Sequence, residues 1–296
     1  MMSKSPAHGL SAEDRVRLEV PLMSADEDDV AAALAEARIS APAHAAEFRN
    51  VRAYCMFIGY PRSGHSIFGS LLDAHPDALI AHELNALRFV AAGCSVLELY
   101  DLVLRNSREF TQLGRRWGDY EYKVEGQWQG RYRRLEVIGD KKGGTSSYMI
   151  GAKPALFEDL LRLLSVPVRF VHVVRNPYDN VATIARKDTH DLKKAIGFYF
   201  RLCRVNARII ERMGDEQVLT LRHEDLIAEP ATQLRRMAKF LQLEEDAGWL
   251  SACSAIVAGK PHRSRDDIKW GPAALVAMKK HLPTIDFLRG YEFDPL

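Results

Sequence analysis

Residues 54–76, YCMFIGYPRSGHSIFGSLLDAHP, constrain the fold more than any other stretch of the sequence. Residues 54–58 form a short apolar run, which predicts a buried strand. Residues 59–64 begin and end with glycine and predict a tight turn, and from Ser66 onward apolar residues recur at the spacing of a helix. A strand, a glycine turn and a helix in this order form a cradle for an anion. The reason is that the first amides of the helix lack an intrahelical acceptor and the helix dipole is positive there.

The spacing inside this turn is close to that of a nucleotide-binding loop. Gly59, Gly64 and Ser66 match the pattern G-x-x-x-x-G-K-[ST], but His65 stands where lysine belongs. A cation is present at Arg62 instead, and arginine offers a planar fork of donors that suits a pair of phosphate or sulfate oxygens. Since a nucleotide kinase depends on the missing lysine, the loop indicates a different kind of anion site.

A second candidate phosphate site follows residues 168–174, VRFVHVV, which form the strongest strand pattern in the sequence. In a magnesium-dependent NTPase this strand would end in aspartate, whereas here it is followed by Arg175. Arg62 and Arg175 together predict two separate phosphate sites without metal ligands. That combination fits a nucleotide with phosphates at both ends of its ribose better than a triphosphate.

Both segments resemble the sulfotransferase family. Tyr-Pro-Arg-Ser-Gly, ending at Gly64, resembles the 5′-phosphosulfate loop, and Arg-Asn-Pro-x-Asp with Thr183 eight residues after Arg175 resembles the 3′-phosphate-binding segment. The resemblance covers residues 54–270 and implies an α/β protein with a three-layer, P-loop-NTPase-like fold, in which helices flank a central parallel sheet. It also implies 3′-phosphoadenosine 5′-phosphosulfate (PAPS) as co-substrate, adenosine 3′,5′-bisphosphate as product, and no metal. The cofactor-binding residues that it implies are Arg62, Ser63, Gly64, His65, Ser66, Arg175 and Thr183.

The candidate general base lies after a second apolar run, residues 78–81. His82 and Glu83 follow this run, and the carboxyl ends of strands are where ligands bind in open α/β sheets. Tyrosylprotein sulfotransferases carry their catalytic glutamate at the same spacing after the loop arginine, which implies Glu83 as the base. His82 is the alternative, because the small-molecule sulfotransferases use histidine. Adjacent residues of a strand point to opposite faces, so we expect only one of the two to reach the site.

Two further segments bear on the site. Residues 134–138 predict a strand that ends before Gly-Asp-Lys, and the similar motif in many sulfotransferases implies that Lys141 stabilises charge on the transferring group. The basic tail after Gly259 resembles a loop that covers the adenosine phosphate in relatives, which implies cofactor contacts from Arg263, Ser264 and Lys269. Residues 117–132 are rich in aromatics and predict either an aromatic wall for an acceptor or a hairpin packed on the core.

The charge balance separates the first 50 residues from the rest. The chain carries a net charge of +2, while residues 1–50 hold five Lys or Arg and nine Asp or Glu, so the remainder is at +6. We therefore expect an N-terminal extension at 1–50, with a short helix that Ser24 or Asp26 caps, and a sulfotransferase domain at 51–296. The modest net charge argues against nucleic-acid binding, and the positive remainder suits an anionic cofactor.

The four cysteines are far apart and form no metal-binding or disulfide pattern. The N-terminus has no apolar run behind a basic start, and the longest uncharged stretch is too short to span a bilayer. These features predict a cytoplasmic protein without a transmembrane segment; the oligomeric state is open.

The sequence as a whole predicts transfer of a sulfuryl group from PAPS to a hydroxyl or amine of a small-molecule, lipid or glycan acceptor. Two alternatives stay open. A P-loop nucleotide kinase or NTPase would hydrolyse nucleotide with magnesium, and a non-catalytic nucleotide-binding protein would bind the bisphosphate without transferring sulfate.

Overall fold

The computed structural model describes residues 27–257 and 259–293. Seven strands occur in these residues: β1 (Ala53–Gly59), β2 (Ala78–His82), β3 (Arg116–Trp117), β4 (Tyr120–Glu121), β5 (Val137–Lys141), β6 (Val168–Val174) and β7 (Val218–Arg222). Five of them form a parallel sheet in the spatial order β2-β5-β1-β6-β7, while β3 and β4 form a separate antiparallel hairpin.

The described residues also contain twelve α-helices: α1 (Glu27–His44), α2 (His65–Asp73), α3 (Ala86–Ala91), α4 (Val96–Gln112), α5 (Gly144–Ala152), α6 (Ala155–Leu163), α7 (Pro177–Ile184), α8 (Leu192–Met213), α9 (His223–Ala228), α10 (Pro230–Leu241), α11 (Ala247–Ala255) and α12 (Pro272–His281). A π-helical segment, Ala185–Thr189, follows α7 directly. None of the helices in the described ranges is both long and apolar enough to cross a membrane.

Strand β1 shows how the sheet separates two hydrophobic layers. All seven of its residues are buried, as a strand covered on both faces requires. Tyr54 and Met56 face the layer that contains α1, α4 and α6, whereas Cys55 and Phe57 face the layer that contains α2, α10 and α11. This alternation confirms the predicted three-layer α/β fold with a central parallel sheet.

Strand β5 differs from its predicted position at residues 134–138. It starts at Val137 and continues through Lys141, which pairs in register with His82 of β2. Gly139 and Asp140, which were expected to follow the strand, pair with β1 on one side and β2 on the other, Lys141 pairs with β2, and all three are buried. Lys141 therefore projects from the end of a central strand and not from a solvated turn.

Helix α1 belongs to the predicted N-terminal extension and packs on α4. Its apolar residues Val30, Leu34 and Ala37 join the same hydrophobic layer as the central sheet. The fully buried carboxylate of Asp101 accepts a hydrogen bond from Ser40 at 2.6 Å and lies 2.6 Å from Nδ1 of His44. The boundary at residue 50 stays a prediction, and the proposed caps, Ser24 and Asp26, lie outside the described residues.

Candidate active site

The loop between β1 and α2, residues 60–64, is the anion loop of this site. Its last residue, Gly64, has a φ of 86°, a conformation that glycine adopts without strain. A side chain there would also collide with the ring of His223, which lies against the loop from the start of α9. Asn180 of α7 donates from Nδ2 to the carbonyl of Pro61 at 2.6 Å. These contacts fix the loop at the start of α2, where the amides of the first turn lack intrahelical acceptors.

Arg62 is held in the loop in a conformation that few non-glycine residues adopt, with φ 66°. Its guanidinium group forms a two-pronged ion pair with Asp188, with Nη2–Oδ1 at 2.8 Å and Nε–Oδ2 at 3.3 Å. Asp188 lies in the π-helical segment after α7. A carboxylate of the same chain thus occupies the donor fork that the sequence assigns to phosphosulfate oxygens, and the fork has the geometry to bind a planar pair of oxygens.

Arg175 follows β6, the strand next to β1, so the two arginines lie at neighbouring strand ends. Its Nη2 donates to Oγ of Ser264 at 3.0 Å and to the carbonyl of His262 at 2.6 Å, and its Nη1 donates to the carbonyl of Arg62 at 3.3 Å. Burial lowers the pKa of Arg175, and the carboxylate of Asp179 opposes that shift. One guanidinium group therefore joins the anion loop to the basic tail.

The other predicted phosphate contacts are distributed along this edge. Thr183 is buried near the end of α7, not at its start, and its hydroxyl donates to the carbonyl of Asp179 at 2.8 Å. In the anion loop, Oγ of the buried Ser63 lies 3.1 Å from Nδ1 of His65. Of the three tail residues, the structure brings Ser264 to Arg175, while Arg263 pairs with Asp266 and Lys269 is exposed.

Lys141 is the centre of a buried cluster beside the anion loop. Its Nζ lies 2.9 Å from Oγ of Ser66, forms an ion pair with Glu83, and lies 3.5 Å from Nε2 of His82. Lys142 adds a second ammonium group, with Nζ 2.8 Å from Oε2 of Glu83. A lysine from a neighbouring strand thus reaches the first turn of α2, although the anion loop itself has none.

Glu83 and His82 both reach Lys141, so the expectation that only one of them would point into the site was wrong. The reason is the backbone of Glu83, whose φ of 61° breaks the strand alternation directly after β2. Burial alone would raise the pKa of Glu83, but Lys141 and Lys142 outweigh it and hold that pKa well below its usual range. Burial, followed by the charge of Lys141, lowers the pKa of His82 well below its usual value, so this ring is neutral near pH 7.

The aromatic segment forms the hairpin β3–β4 against this cluster. The ring of His82 stacks on Phe110 with centroids 4.1 Å apart, and it contacts Trp117 and Tyr122 at 5.3 and 5.8 Å. Trp117 is buried, whereas the side chain of Tyr120 is 64% exposed. The segment is therefore a hairpin packed on the core whose inner aromatics line one side of His82, with Tyr120 on its outside.

A buried ion pair anchors the hairpin to the anion-loop helix. Arg115, which precedes β3, places Nη1 2.8 Å from Oδ2 of Asp73 at the end of α2, and both side chains are at most 1% exposed. Ser107 and the backbone of Ile80 also donate to Asp73. The hairpin base and the anion-loop helix are thus tied together.

Several residues of the site were not predicted from the sequence. Lys142 contacts Glu83, Asp188 pairs with Arg62, and Arg265 pairs with Asp179 at 3.1 Å and so holds the tail on α7. Lys142 had one signal, its position next to Lys141. Asp188 and Arg265 had none, because each is one charge among several in a polar stretch and its partner is far away in the sequence.

These side chains form two functional parts. The anion loop, Arg62 and Arg175 offer donors at two neighbouring strand ends, which suits two oxyanion groups. The cluster around Lys141 places a carboxylate and a neutral imidazole beside an ammonium group, which suits proton removal next to developing negative charge. Within the described ranges, no group of three or more His, Cys, Asp or Glu could hold a metal ion.

Comparisons with known proteins agree with this geometry. A family model described as "Sulfotransferase family" matches residues 56–247, more than half of the chain. The match spans the sheet from β1 to β7, the anion loop, Glu83, Lys141 and Arg175. A search of curated proteins found no match.

Similar solved structures are sulfotransferases. They include the sulfotransferase STF9 from Mycobacterium avium, with 14% identity, a TM-score of 0.50, and coverage of 88% of this chain and 84% of that chain. They also include mouse sulfotransferase SULT7A1 complexed with PAP, with 12% identity, a TM-score of 0.45 and coverage of 83% and 93%. A third is a sulfotransferase from Alicyclobacillus acidocaldarius, with 15% identity, a TM-score of 0.46 and coverage of 82% and 98%. At 14% identity, the similarity to the Mycobacterium avium structure concerns the fold.

Proposed function

The chain belongs to the sulfotransferase family, and from this premise we propose that it transfers a sulfuryl group from PAPS to a hydroxyl or amine of an acceptor. The observation that carries the proposal is the buried contact of Lys141 with both Ser66 and Glu83. It places an ammonium group between the first turn of the anion-loop helix and a carboxylate. The ammonium group can stabilise negative charge on the transferring group, and the carboxylate can remove the proton of the acceptor.

The donor would bind along the edge formed by β1 and β6. Arg62, the first amides of α2 and the hydroxyl of Ser66 would hold its phosphosulfate end. Arg175, with Ser264 beside it, would hold the 3′-phosphate. The contact between Arg175 and the Arg62 carbonyl supports this assignment, because it places the second guanidinium group next to the loop that binds the first anion. The further contacts from Ser63, Gly64, His65, Thr183, Arg263 and Lys269 are proposed on the family resemblance.

The proposed reaction is an in-line displacement at sulfur. The acceptor oxygen or nitrogen forms a bond to sulfur while the bond from sulfur to the bridging phosphate oxygen breaks, and adenosine 3′,5′-bisphosphate leaves. Arg62 and Lys141 stabilise the negative charge on the bridging and equatorial oxygens. Glu83 takes the proton of the acceptor, and no metal or covalent intermediate takes part.

The low pKa of Glu83 sets a condition on this role. A carboxylate held between two ammonium groups is ionised at neutral pH, but it is a weak base. A new anion beside Lys141 and Lys142 would share their charge and raise the pKa of Glu83. Glu83 would then become a stronger base only when the donor is in place. His82 is the alternative base, because its ring is neutral and lies 3.5 Å from the same Nζ.

Sulfuryl transfer from PAPS labelled in its sulfate, measured against a panel of phenols, alcohols and amines, tests the proposal. Glu83→Gln should lower turnover by about 10²- to 10⁴-fold, the range for a general base, while adenosine 3′,5′-bisphosphate still binds. His82→Ala is the paired variant. If only His82→Ala abolishes turnover, histidine is the base. If the wild type transfers sulfate to none of the acceptors but binds the bisphosphate, the protein is a binder and the proposal fails.

The proposed acceptor is a small molecule, a lipid or a glycan, and the proposed location is the cytoplasm. The aromatic side chains of the hairpin support an acceptor with an apolar part, because Tyr122 and Trp117 line the side of His82. Comparing phenols with aliphatic alcohols of equal size in the same assay tests this preference. Equal rates for the two groups would contradict a role of the hairpin in acceptor choice.

A further inference from the structure

A groove of about 280 Å³ lies on the outer surface between α5 and α8. The inner sides of these helices face the core, where Oγ of Ser147 donates to Asn206 at 2.6 Å and accepts from the amide of Gly59 at 3.0 Å. The groove lies on the opposite side of the same helices and is separate from the anion loop. Its lining includes Tyr148, Leu202, Val205, Arg201, Arg204 and Arg208.

The three arginines of the groove repeat at every helical turn of α8. Arg201, Arg204 and Arg208 are exposed, and no carboxylate in residues 27–257 or 259–293 forms an ion pair with any of them. Like charges three and four positions apart on a helix destabilise each other. Further along the same helix, by contrast, Arg212 pairs with Glu158 at 2.8 Å. The groove thus concentrates positive charge that the described part of the chain leaves without counter-ions.

The positive field extends to the neighbouring helix α12. Partial burial and then the charges of Arg204 and Lys280 lower the pKa of His281 at the end of that helix. The ring of His281 packs on Phe200 of α8 with centroids 4.9 Å apart, so α12 stands next to the arginine row. The lowered pKa keeps His281 neutral near pH 7, so the positive charge of the groove comes from its three arginines.

Uncharged residues of α5 form the other side of the groove. Tyr148 is 49% exposed, and the other two residues of α5 that line the groove, Gly151 and Ala152, are small. An aromatic ring beside guanidinium groups can contact a planar or apolar group while the guanidinium forks hold an oxyanion. The two halves of the groove thus suit two different halves of one compact molecule.

We propose that this groove binds a phosphate or sulfate monoester whose ester group is aromatic or aliphatic. The guanidinium forks of Arg201, Arg204 and Arg208 hold the anionic oxygens, and Tyr148 packs on the ester group. A cavity of about 280 Å³ holds a small molecule and not an extended polymer, so the site takes a single anionic group. That group can belong to a soluble ester or to the head of a phosphatidic lipid, and both present the same chemistry to the arginines.

Isothermal titration of the full chain with phenyl phosphate, phenyl sulfate and inorganic phosphate tests the proposal. The variant Arg201→Gln/Arg204→Gln/Arg208→Gln keeps good helix formers on an exposed face, and its unfolding midpoint shows that it folds. Arg212→Gln is the matched control, because it removes a guanidinium group from the same helix, where it pairs with Glu158, and does not line the groove. We expect the triple variant to bind phenyl phosphate at least about tenfold more weakly and the control to bind it as the wild type does.

Two further measurements test the role of the Tyr148 ring and distinguish a soluble ester from a lipid head group as the ligand. Tyr148→Ala should weaken binding of phenyl phosphate but not of inorganic phosphate. Phosphatidylcholine vesicles with and without phosphatidic acid show whether the groove takes a lipid head group, which the triple variant should no longer bind. Unchanged ester binding in the triple variant would overturn the proposal, as would a wild type that binds neither the esters nor the vesicles. Neither result depends on sulfuryl transfer.

Discussion

Replacing Glu83 by Gln removes the carboxylate that forms ion pairs with both Lys141 and Lys142. The side chains of Glu83, Lys141 and Lys142 are 10%, 1% and 10% exposed, so all three are withdrawn from water. Glutamine has nearly the same size, and it can accept a hydrogen bond from one ammonium group. It cannot balance the charge of either one. The substitution therefore isolates the electrostatic part of the cluster.

Removing one partner of a buried ion pair costs about 3–5 kcal/mol, because the other charge remains buried without compensation. Natural domains have about 5–15 kcal/mol of stability, so the variant should fold but with a large loss. The pH dependence follows from the depressed pKa of Glu83 in the folded state. Its contribution is fully present above the ordinary carboxyl pKa of 4.5 and is lost as the pH falls through the folded value. Wild type and variant should therefore converge in stability below pH 4.5 and differ most above it.

Urea unfolding at pH 7 and at a series of lower pH values measures this difference. Asp159→Asn is the matched control, because Asp159 forms an exposed pair with Arg162 whose loss should cost about 1 kcal/mol or less. Adding Lys141→Met to Glu83→Gln should recover part of the stability, since it removes one of the orphaned charges. A loss in Glu83→Gln no larger than that in Asp159→Asn, or one that does not change with pH, would refute the reasoning.

Three smaller perturbations test other parts of the site. In Gly69→Ala, the new Cβ would lie 2.6 Å from Cγ of Lys141, so we expect lower turnover and a loss of about 1–3 kcal/mol in urea unfolding, despite the better helix propensity of alanine. Burial raises the pKa of Asp140 to about 6. The folded protein therefore binds this proton more tightly than the unfolded chain does, and it loses stability as the pH rises from the ordinary pKa of 3.8 through 6. Asp140→Asn should therefore gain about 2–3 kcal/mol relative to the wild type between pH 4 and pH 7, measured by thermal and urea unfolding. Asp188→Asn should tighten binding of adenosine 3′,5′-bisphosphate about two- to fivefold in titration calorimetry, because an exposed carboxylate competes for Arg62. Weaker binding would instead show that Asp188 positions Arg62.

The parts of the fold that local sequence patterns determine were predicted well. The apolar run before the anion loop and the strand before Arg175 are strands β1 and β6, which pair with each other in the parallel sheet. Glycine turns and helical periodicity are short-range signals, so the start of α2 at His65 could also be located.

Other features depend on contacts between distant residues, which single-sequence patterns do not contain. The pair between Arg62 and Asp188 joins residues 126 positions apart, and the contact between Lys141 and Ser66 joins residues 75 apart. The strand predicted at 134–138 was placed too early, because the pairing of residues 137–141 with β2 is not visible in the local sequence. The positive φ of Glu83 was equally hidden, and it is what brings His82 and Glu83 to the same lysine.

Binding of adenosine 3′,5′-bisphosphate and of adenosine 5′-monophosphate to the wild type and to Arg175→Ala tests the central claim most directly. If Arg175 holds the 3′-phosphate, the variant should lose about 2 kcal/mol of bisphosphate binding, roughly thirtyfold, whereas the monophosphate should change about threefold or less. Titration calorimetry gives all four dissociation constants under one condition. Equal losses for the two nucleotides, or an unchanged affinity for the bisphosphate, would contradict the account.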